Sequence, residues 1–516
     1  MDKKARMKYL FSIGLLVALF TGTEAQPSIQ WQRGFGGSQP DEATTIRLTS
    51  DSCYFVAGFA LSNNGNITGN KGITDFWVIK LNSAGDLLWQ KSLGGTNDDR
   101  CYSASPTTDG GYILVGETSS NNLNVSGNHG DVDCWVVKLD PNGNIQWQKC
   151  LGGSYWDEAS CVQQTTDGGY IVVGRAGSTD GDITGHHGSF DFWAVKLNSN
   201  GQIIWQNALG GSLLDIAYSV KQTLDGGYIL VGESNSTNGD CSGLHGSTDL
   251  WVVKLTPEGN LEWQKMLGST SLDWAVDVLV ETNGGYTILG QITWNDGDVS
   301  ERFGGFDIWV VNIDGSGNLV WERTFGGSKE EYARSIIQKE NGYIVVGVTQ
   351  SVDGQVVGND GGADLWLFKI DSLGNLLWQK TLGGSQDDLG HSVIQTLDGG
   401  LALAGYARSN NGDVSGNHGS TDYWIVKLAP ETSTTQTPAA IPLNLYPNPA
   451  NQWITLNLPI IEHMQVSITD EQGRLLLSRT IRTDEKLDIA ALPPGIYWVS
   501  AVSKSGQVYA GKFVKN

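Results

Sequence analysis

Between about residues 28 and 430, apolar residues come in short, often alternating runs, each closed by a cluster of glycine, asparagine or aspartate. Residues 157–211 show one cycle of this pattern: DEASCVQQTTDGG, GYIVVGRAGS, the polar stretch TDGDITGHHGSF, then DFWAVKLNSNGQIIWQNALGG. Alternation with period two, rich in β-branched and aromatic residues, predicts strands. Four are expected, A at about 159–165, B at 170–175, C at 192–197 and D at 202–209. Asn-Gly, Asp-Gly and Gly-Gly pairs between them supply the positive φ that tight hairpins require. Nowhere in this region does a 3.6-residue period hold, which excludes a helical solenoid.

The cycle recurs. Trp31, Trp89, Trp147, Trp205, Trp263 and Trp321 are each 58 residues apart, and Trp378 follows after 57. Trp77, Trp135, Trp193, Trp251, Trp309, Trp366 and Trp424 keep step in strand C. Four antiparallel strands per unit and seven units predict an all-β fold, a seven-bladed β-propeller spanning 26–429. The ends are offset by one strand. The first copy begins at strand D, around Trp31, and the last stops after strand C, around Trp424. The N-terminal strand, near 29–35, is therefore expected to pair with 423–428 and complete the seventh blade, removing a sheet edge that would invite aggregation.

Lys138, Leu139, Asp140, Gly143, Asn144 and Trp147 form a string similar to the quinoprotein-type propeller motif, in which a tryptophan docks between blades. No dedicated cofactor site accompanies it, so no cofactor is carried over. The whole repeat resembles the tryptophan-bearing propeller repeats of exported Bacteroidetes proteins.

Composition changes after Lys427. A Thr/Pro linker is expected at 430–442, followed by alternating strands and glycine turns over 443–516 that predict a small β-sandwich. Within it stand Tyr446-Pro447-Asn448-Pro449, Asp470 with Gly473-Arg474, Gly495 and Tyr497 after Leu492-Pro493-Pro494, and Lys512-Phe513-Val514-Lys515. These residues, in this order, resemble the type A C-terminal sorting domain of the type IX (Por) secretion system. The resemblance implies a periplasmic intermediate, passage through the type IX translocon, and removal of the domain on arrival. The product is then released or attached to surface lipopolysaccharide. At the other end, Lys3, Lys4, Arg6 and Lys8 precede an apolar run, with Thr23 and Ala25 placed for cleavage before Gln26. Residues 1–25 are thus expected to be a signal peptide, leaving no transmembrane segment.

Charge narrows the partners. The chain has 33 basic and 55 acidic residues, a net charge of −22. Residues 1–25 carry +2 and the segment from Pro442 carries +1, so the repeat region stands at about −25. Nucleic acid and anionic lipid, which need a basic footprint, are excluded as partners. The six cysteines lack metal spacing, although Cys134 and Cys150 flank a hairpin and are candidates to face each other.

Two acidic series recur. Asp41, Asp99, Asp157, Asp215, Asp273, Glu331 and Asp388 follow strand D, while Asp75, Asp133, Asp191, Asp249, Asp307, Asp364 and Asp422 begin strand C. Both fall at the same face of a propeller, so a rim of carboxylates is one expectation. Ca²⁺ in loops such as Asp413 to Asp422 is the one metal considered. Recurrence in every copy argues instead for turn anchoring. His129, His187, His245 and His418 recur likewise and are expected to be structural or solvated. Departures from the repeat are better ligand candidates. Tyr155, Trp156, Trp274 and Trp294 break it, should lie on the D–A/B–C face, and offer aromatic platforms for a glycan or a surface protein. The fourteen periodic tryptophans are expected to be buried. No nucleophile elbow, HExxH, phosphate loop or CxxC is present. A binding module is therefore preferred to the alternatives, a polysaccharide-active hydrolase or lyase using rim carboxylates and a structural surface-layer component.

Overall fold

The computed structural model describes residues 26–431, and 441–516 apart from 459–462, 471–473, 484 and 504–507. The expected signal peptide, most of the expected linker and Gly473 lie outside the described residues. Contacts divide the chain into one unit spanning Glu24–Thr432 and another containing Ser433–Asn516. The described residues contain strands and no helix.

The first unit is a ring of seven four-stranded antiparallel sheets. Blade 3 is representative, with strand A at Asp157–Gln164, B at Tyr170–Ala176, C at Asp191–Leu197 and D at Ile203–Leu209. Blade 7 takes A, B and C from Asp388–Gln395, Leu401–Ala407 and Asp422–Leu428, and D from the N-terminal strand Ile29–Phe35. The register runs from Ile29 opposite Leu428 to Phe35 opposite Tyr423, so the ring closes as the one-strand offset requires.

Strand C is buried on both faces in every blade. Its tryptophan is at most 1% exposed, and the indole Nε1 finds an acceptor on strand D, as a buried indole must. Trp77 donates to Gln90 at 2.9 Å, Trp193 to Gln206 at 2.9 Å, and Trp309 to Glu322 at 2.7 Å. In the closing blade the acceptor is Gln32, 3.1 Å from Trp424, so the N-terminal strand supplies the same bond.

The strand-D tryptophans differ from expectation. Apart from Trp378, which is 5% exposed, they are only half-buried. Strand D is the outermost strand, and its tryptophan leans over the C–D turn of the next blade. There it packs on a glycine with positive φ. A Cβ at Gly85 would sit 2.9 Å from Trp31, and one at Gly143 or Gly201 would sit 2.8 Å from Trp89 or Trp147. Each of these rings also meets a strand-B tyrosine of that blade, Trp147 to Tyr170 at 5.8 Å and Trp205 to Tyr228 at 5.7 Å. One face of the indole seals the blade junction and the other meets water.

The cysteines also depart from expectation. Cys150 pairs with Trp135 and Cys134 with Leu151, because a bulge at Lys138/Leu139 shifts the hairpin by one residue. A one-residue shift sends side chains to opposite faces, so Cys134 and Cys150 enter different core clusters. All six cysteines are free thiols.

The second unit is a small β-sandwich. A five-stranded sheet and a three-stranded sheet share one core, built from Leu445, Ile454, Met464, Val466, Tyr497, Val499 and Phe513 among others.

Candidate functional site

The D–A loop of each blade interlocks with the B–C loops on the same face. In blade 3, Ser154 N donates to Asp180 Oδ1 at 2.7 Å and Tyr155 N to Ser178 Oγ at 2.8 Å, while Asp157 N reaches back to Val132 O of blade 2 at 2.8 Å. Trp156 and Trp294 lie in these loops, 39% and 49% exposed, and Tyr155 is 52% exposed. The Arg175 guanidinium lies 4.8 Å from the rings of both Trp156 and Phe190. It is held by Glu158 at 2.8 Å, and Tyr155 stacks beside Phe190 at 6.3 Å. Trp294 is backed by Arg302 at 5.0 Å. Trp274 differs. It is not a loop residue but the first residue of strand A in blade 5, Trp274–Val280, half-buried against Phe306 at 5.3 Å. Among the described residues no ring contact joins these groups, so the candidates form separate patches and not one platform.

The acidic series do not form an exposed rim. All fourteen side chains are 0–1% exposed. Asp157 accepts from Gly153 N and Gly177 N, both at 2.8 Å, and from Ser178 N at 3.1 Å, which closes its own turn. Asp133 accepts from His129 N at 3.0 Å and pairs with its Nδ1 at 2.7 Å. His187, His245 and His418 repeat that pairing with Asp191, Asp249 and Asp422. The two series face each other across blade junctions. A Cβ at Gly152 would lie 2.8 Å from Asp157 and 3.0 Å from Asp133. Burial, with the facing carboxylate adding to it, raises Asp41 and Asp75 to about 6 and Asp364 to about 7. Asp413 is exposed whereas Asp422 is buried under His418. Among the described residues no three His, Cys, Asp or Glu side chains are grouped to hold a metal ion. The geometry makes the residues of the two acidic series turn anchors.

Sequence reasoning missed the axial channel, a cavity of about 390 Å³ walled by all seven A strands. Each A strand carries a bulge, at 43/45 in blade 1 and at the equivalent place in the others. A bulge re-aims a side chain, and the extra residues are Thr44, Tyr102, Ser160, Tyr218, Val276, Arg334 and His391, all in the channel wall. Arg47, Lys221 and Asp277 share that wall. The signal was present in the sequence. Aligned on the tryptophans, this position holds six residue types in seven copies, with only tyrosine repeated.

In the second unit the motif residues hold one another. Asn448 Nδ2 donates to Lys512 O at 2.9 Å, and Val514 N donates to Asn448 Oδ1 at 3.0 Å, clamping the Pro-Asn-Pro turn to the last strand. Gly495 lies opposite Lys515, and Tyr497 opposite Phe513, which is fully buried. Tyr497 Oη donates to Pro493 O at 2.7 Å. Arg474 is bound to Asp470 at 3.0 Å but stays exposed, as does Tyr446. Residues 444–516 match the family model of the secretion system C-terminal sorting domain. The chain ends in that sorting domain. The sorting domain marks the chain for type IX export, to the cell surface or beyond. Among the described residues no helix is long and apolar enough to cross a membrane.

For the rest of the chain the comparisons are distant. A regulatory protein, FlaEY, of Caulobacter vibrioides is 29% identical over 166 residues, covering 29% of this chain and 17% of the relative's length. The extracellular domain of a putative hybrid two-component system from B. thetaiotaomicron is similar at a TM-score of 0.41 and 10% identity, over 95% of this chain and 60% of that one. Puromycin hydrolase is similar at a TM-score of 0.44 and 12% identity, over 95% of this chain and 62% of that one.

Proposed function

We propose that this chain is an exported seven-bladed propeller that acts as a binding module, delivered through the type IX translocon by its sorting domain and binding an extracellular glycan through its D–A/B–C face. The observation that carries the reading is the exposed aromatic set Tyr155, Trp156 and Trp294, two of whose indoles are backed by arginine in loops that otherwise repeat. Rigid aromatic rings present large contact area at small entropic cost. A hydrolase built on rim carboxylates finds no support, since all fourteen are out of a substrate's reach.

The test is a glycan array probed with the purified protein, followed by titration of the best ligand. Because the two patches are separate, one of the single changes Trp156→Ala and Trp294→Ala, at the patch the ligand occupies, should weaken binding by about tenfold or more, the effect of losing a hot-spot side chain. Unchanged affinity in both variants would overturn the assignment to this face.

A further inference from the structure

The axial channel inverts the charge of the body that contains it. Its wall carries Arg47, Lys221 and Arg334 against one carboxylate, Asp277. Asp277 is already engaged, by Lys221 at 3.4 Å, Ser219 Oγ at 3.0 Å and Ile336 N at 3.2 Å. Neither guanidinium makes an ion pair among the described residues. Arg47 donates only to Ile46 O at 2.8 Å and Ser392 Oγ at 3.2 Å, and Arg334 to Ala333 O at 3.1 Å. Arg334 Nε and His391 Nε2 are buried without a hydrogen-bond partner. Elsewhere on the same ring Arg175 is matched by Glu158 and Arg408 by Asp387, while Arg302, like the channel arginines, has no ion pair among the described residues.

Buried charge is costly unless it is paired. Desolvation lowers the pKa of both guanidiniums from the usual value. Burial, together with the neighbouring Arg334 charge, pushes His391 down to about 3, so its imidazole is neutral at neutral pH and adds a hydrogen-bonding group without a further charge. A cleft lined by one sign of charge within low-dielectric walls concentrates the opposite ion. Guanidinium forks suit carboxylate and phosphate oxygens in particular. The size of the cavity falls in the range of small-molecule sites.

We infer that the axial channel is a binding site for a small organic or inorganic polyanion, held by Arg47 and Arg334 with His391 as a hydrogen-bonding partner. This site is distinct from the aromatic loops and does not rest on the glycan reading. The shared chemistry is an oxyanion of two or more charges. Its source is separated by the arms of the experiment: inorganic phosphate, inorganic sulfate, citrate and glucose 6-phosphate.

The purified protein is titrated calorimetrically with each, at constant ionic strength set with chloride, and melted in parallel. At least one arm should show saturable binding of one anion per chain and a raised melting temperature. Arg47→Gln and Arg334→Gln should each weaken that binding tenfold or more. Without ligand, both variants should melt at or above the parent temperature, because an unmatched, partly buried charge has been removed. The inference is overturned if no anion exceeds the chloride control, or if binding survives in the double variant. It is also overturned if the unliganded variants melt several degrees lower or fail to fold, since the guanidiniums would then belong to the scaffold.

Discussion

Replacing Trp251 and Trp156 by alanine separates the packing role of one tryptophan from the surface role of the other. Trp251 is fully buried, lies 4.4 Å from Phe192 across the junction between blades 3 and 4, and donates to Gln264 at 2.9 Å. Truncating such a side chain costs about 3–5 kcal/mol, cavity included. Trp156 is 39% exposed and touches a guanidinium that keeps its own carboxylate partner. Its removal loses a cation–π contact of about 0.5–1 kcal/mol and a modest apolar area. A cooperative body of roughly 400 residues has an unfolding entropy near 0.8 kcal/mol/K at its midpoint, so 1 kcal/mol moves the melting temperature by about 1.2 °C. Trp251→Ala should therefore melt about 4–6 °C below the parent, and Trp156→Ala no more than about 2 °C below it. Differential scanning calorimetry of both variants decides. Equal losses would make Trp156 a packing residue and remove the physical basis for the aromatic face.

Deleting residues 26–37 should abolish the monomeric ring, because Asp422–Leu428 then presents an unpaired edge; size-exclusion chromatography should show aggregation, and a monodisperse, cooperatively melting deletion would contradict the closure. Stability should be greatest near pH 4–5. Asp41, Asp75, Asp273 and Asp307 are raised to about 6 and Asp364 to about 7, so the folded state binds more protons than the unfolded chain between about pH 4 and 7 and gains stability as pH falls through that window. Asp109, Asp167, Asp225 and Asp398, held at about 2 by strand-C lysines and turn donors, contribute stability that is present above about pH 4 and lost towards pH 2; a melting temperature that falls steadily from pH 8 to pH 5 would refute the assignment. Truncation after Ala429 should leave a folded propeller in the periplasm of a secreting host, and surface display equal to that of the full chain would refute the sorting role of the terminal domain.

The blade count and the closure were legible because strand-C and strand-D tryptophans are scaffold parts, and scaffold parts must recur. The one-strand offset around Trp31 and Trp424 needed only counting. Burial was less legible. Asp133 and Asp157 recur whether they point to water or inward, and only the fold shows them meeting across Gly152. The tryptophans of strand D were expected inside because indole is large and apolar, but their strand is the outer edge and their partner is a glycine turn. Cys134 and Cys150 depended on a register that a hairpin bulge shifted by one. The channel stayed hidden for a related reason. A strand-A bulge turns Arg334 and His391 to the axis, and period-two reading gives no sign of a bulge. Trp274 looked like a loop residue because it follows the turn aspartate, yet in blade 5 the strand starts there.

The closing strand imposes an order of events on the chain. Ile29 and Leu428 are neighbours in space but stand at opposite ends of the repeat region. Joining the ends of so long a free loop would carry an entropic cost on the order of 5 kcal/mol beyond the fixed term. Blades built one upon another bring those ends together gradually, so the N-terminal strand docks last, after the final C strand has formed. A nascent or translocating chain must therefore keep its first strand unpaired until almost all of the ring exists. The same seam is where tension applied at the N-terminus would open the ring first, peeling away one strand while six blades still hold all four of their own.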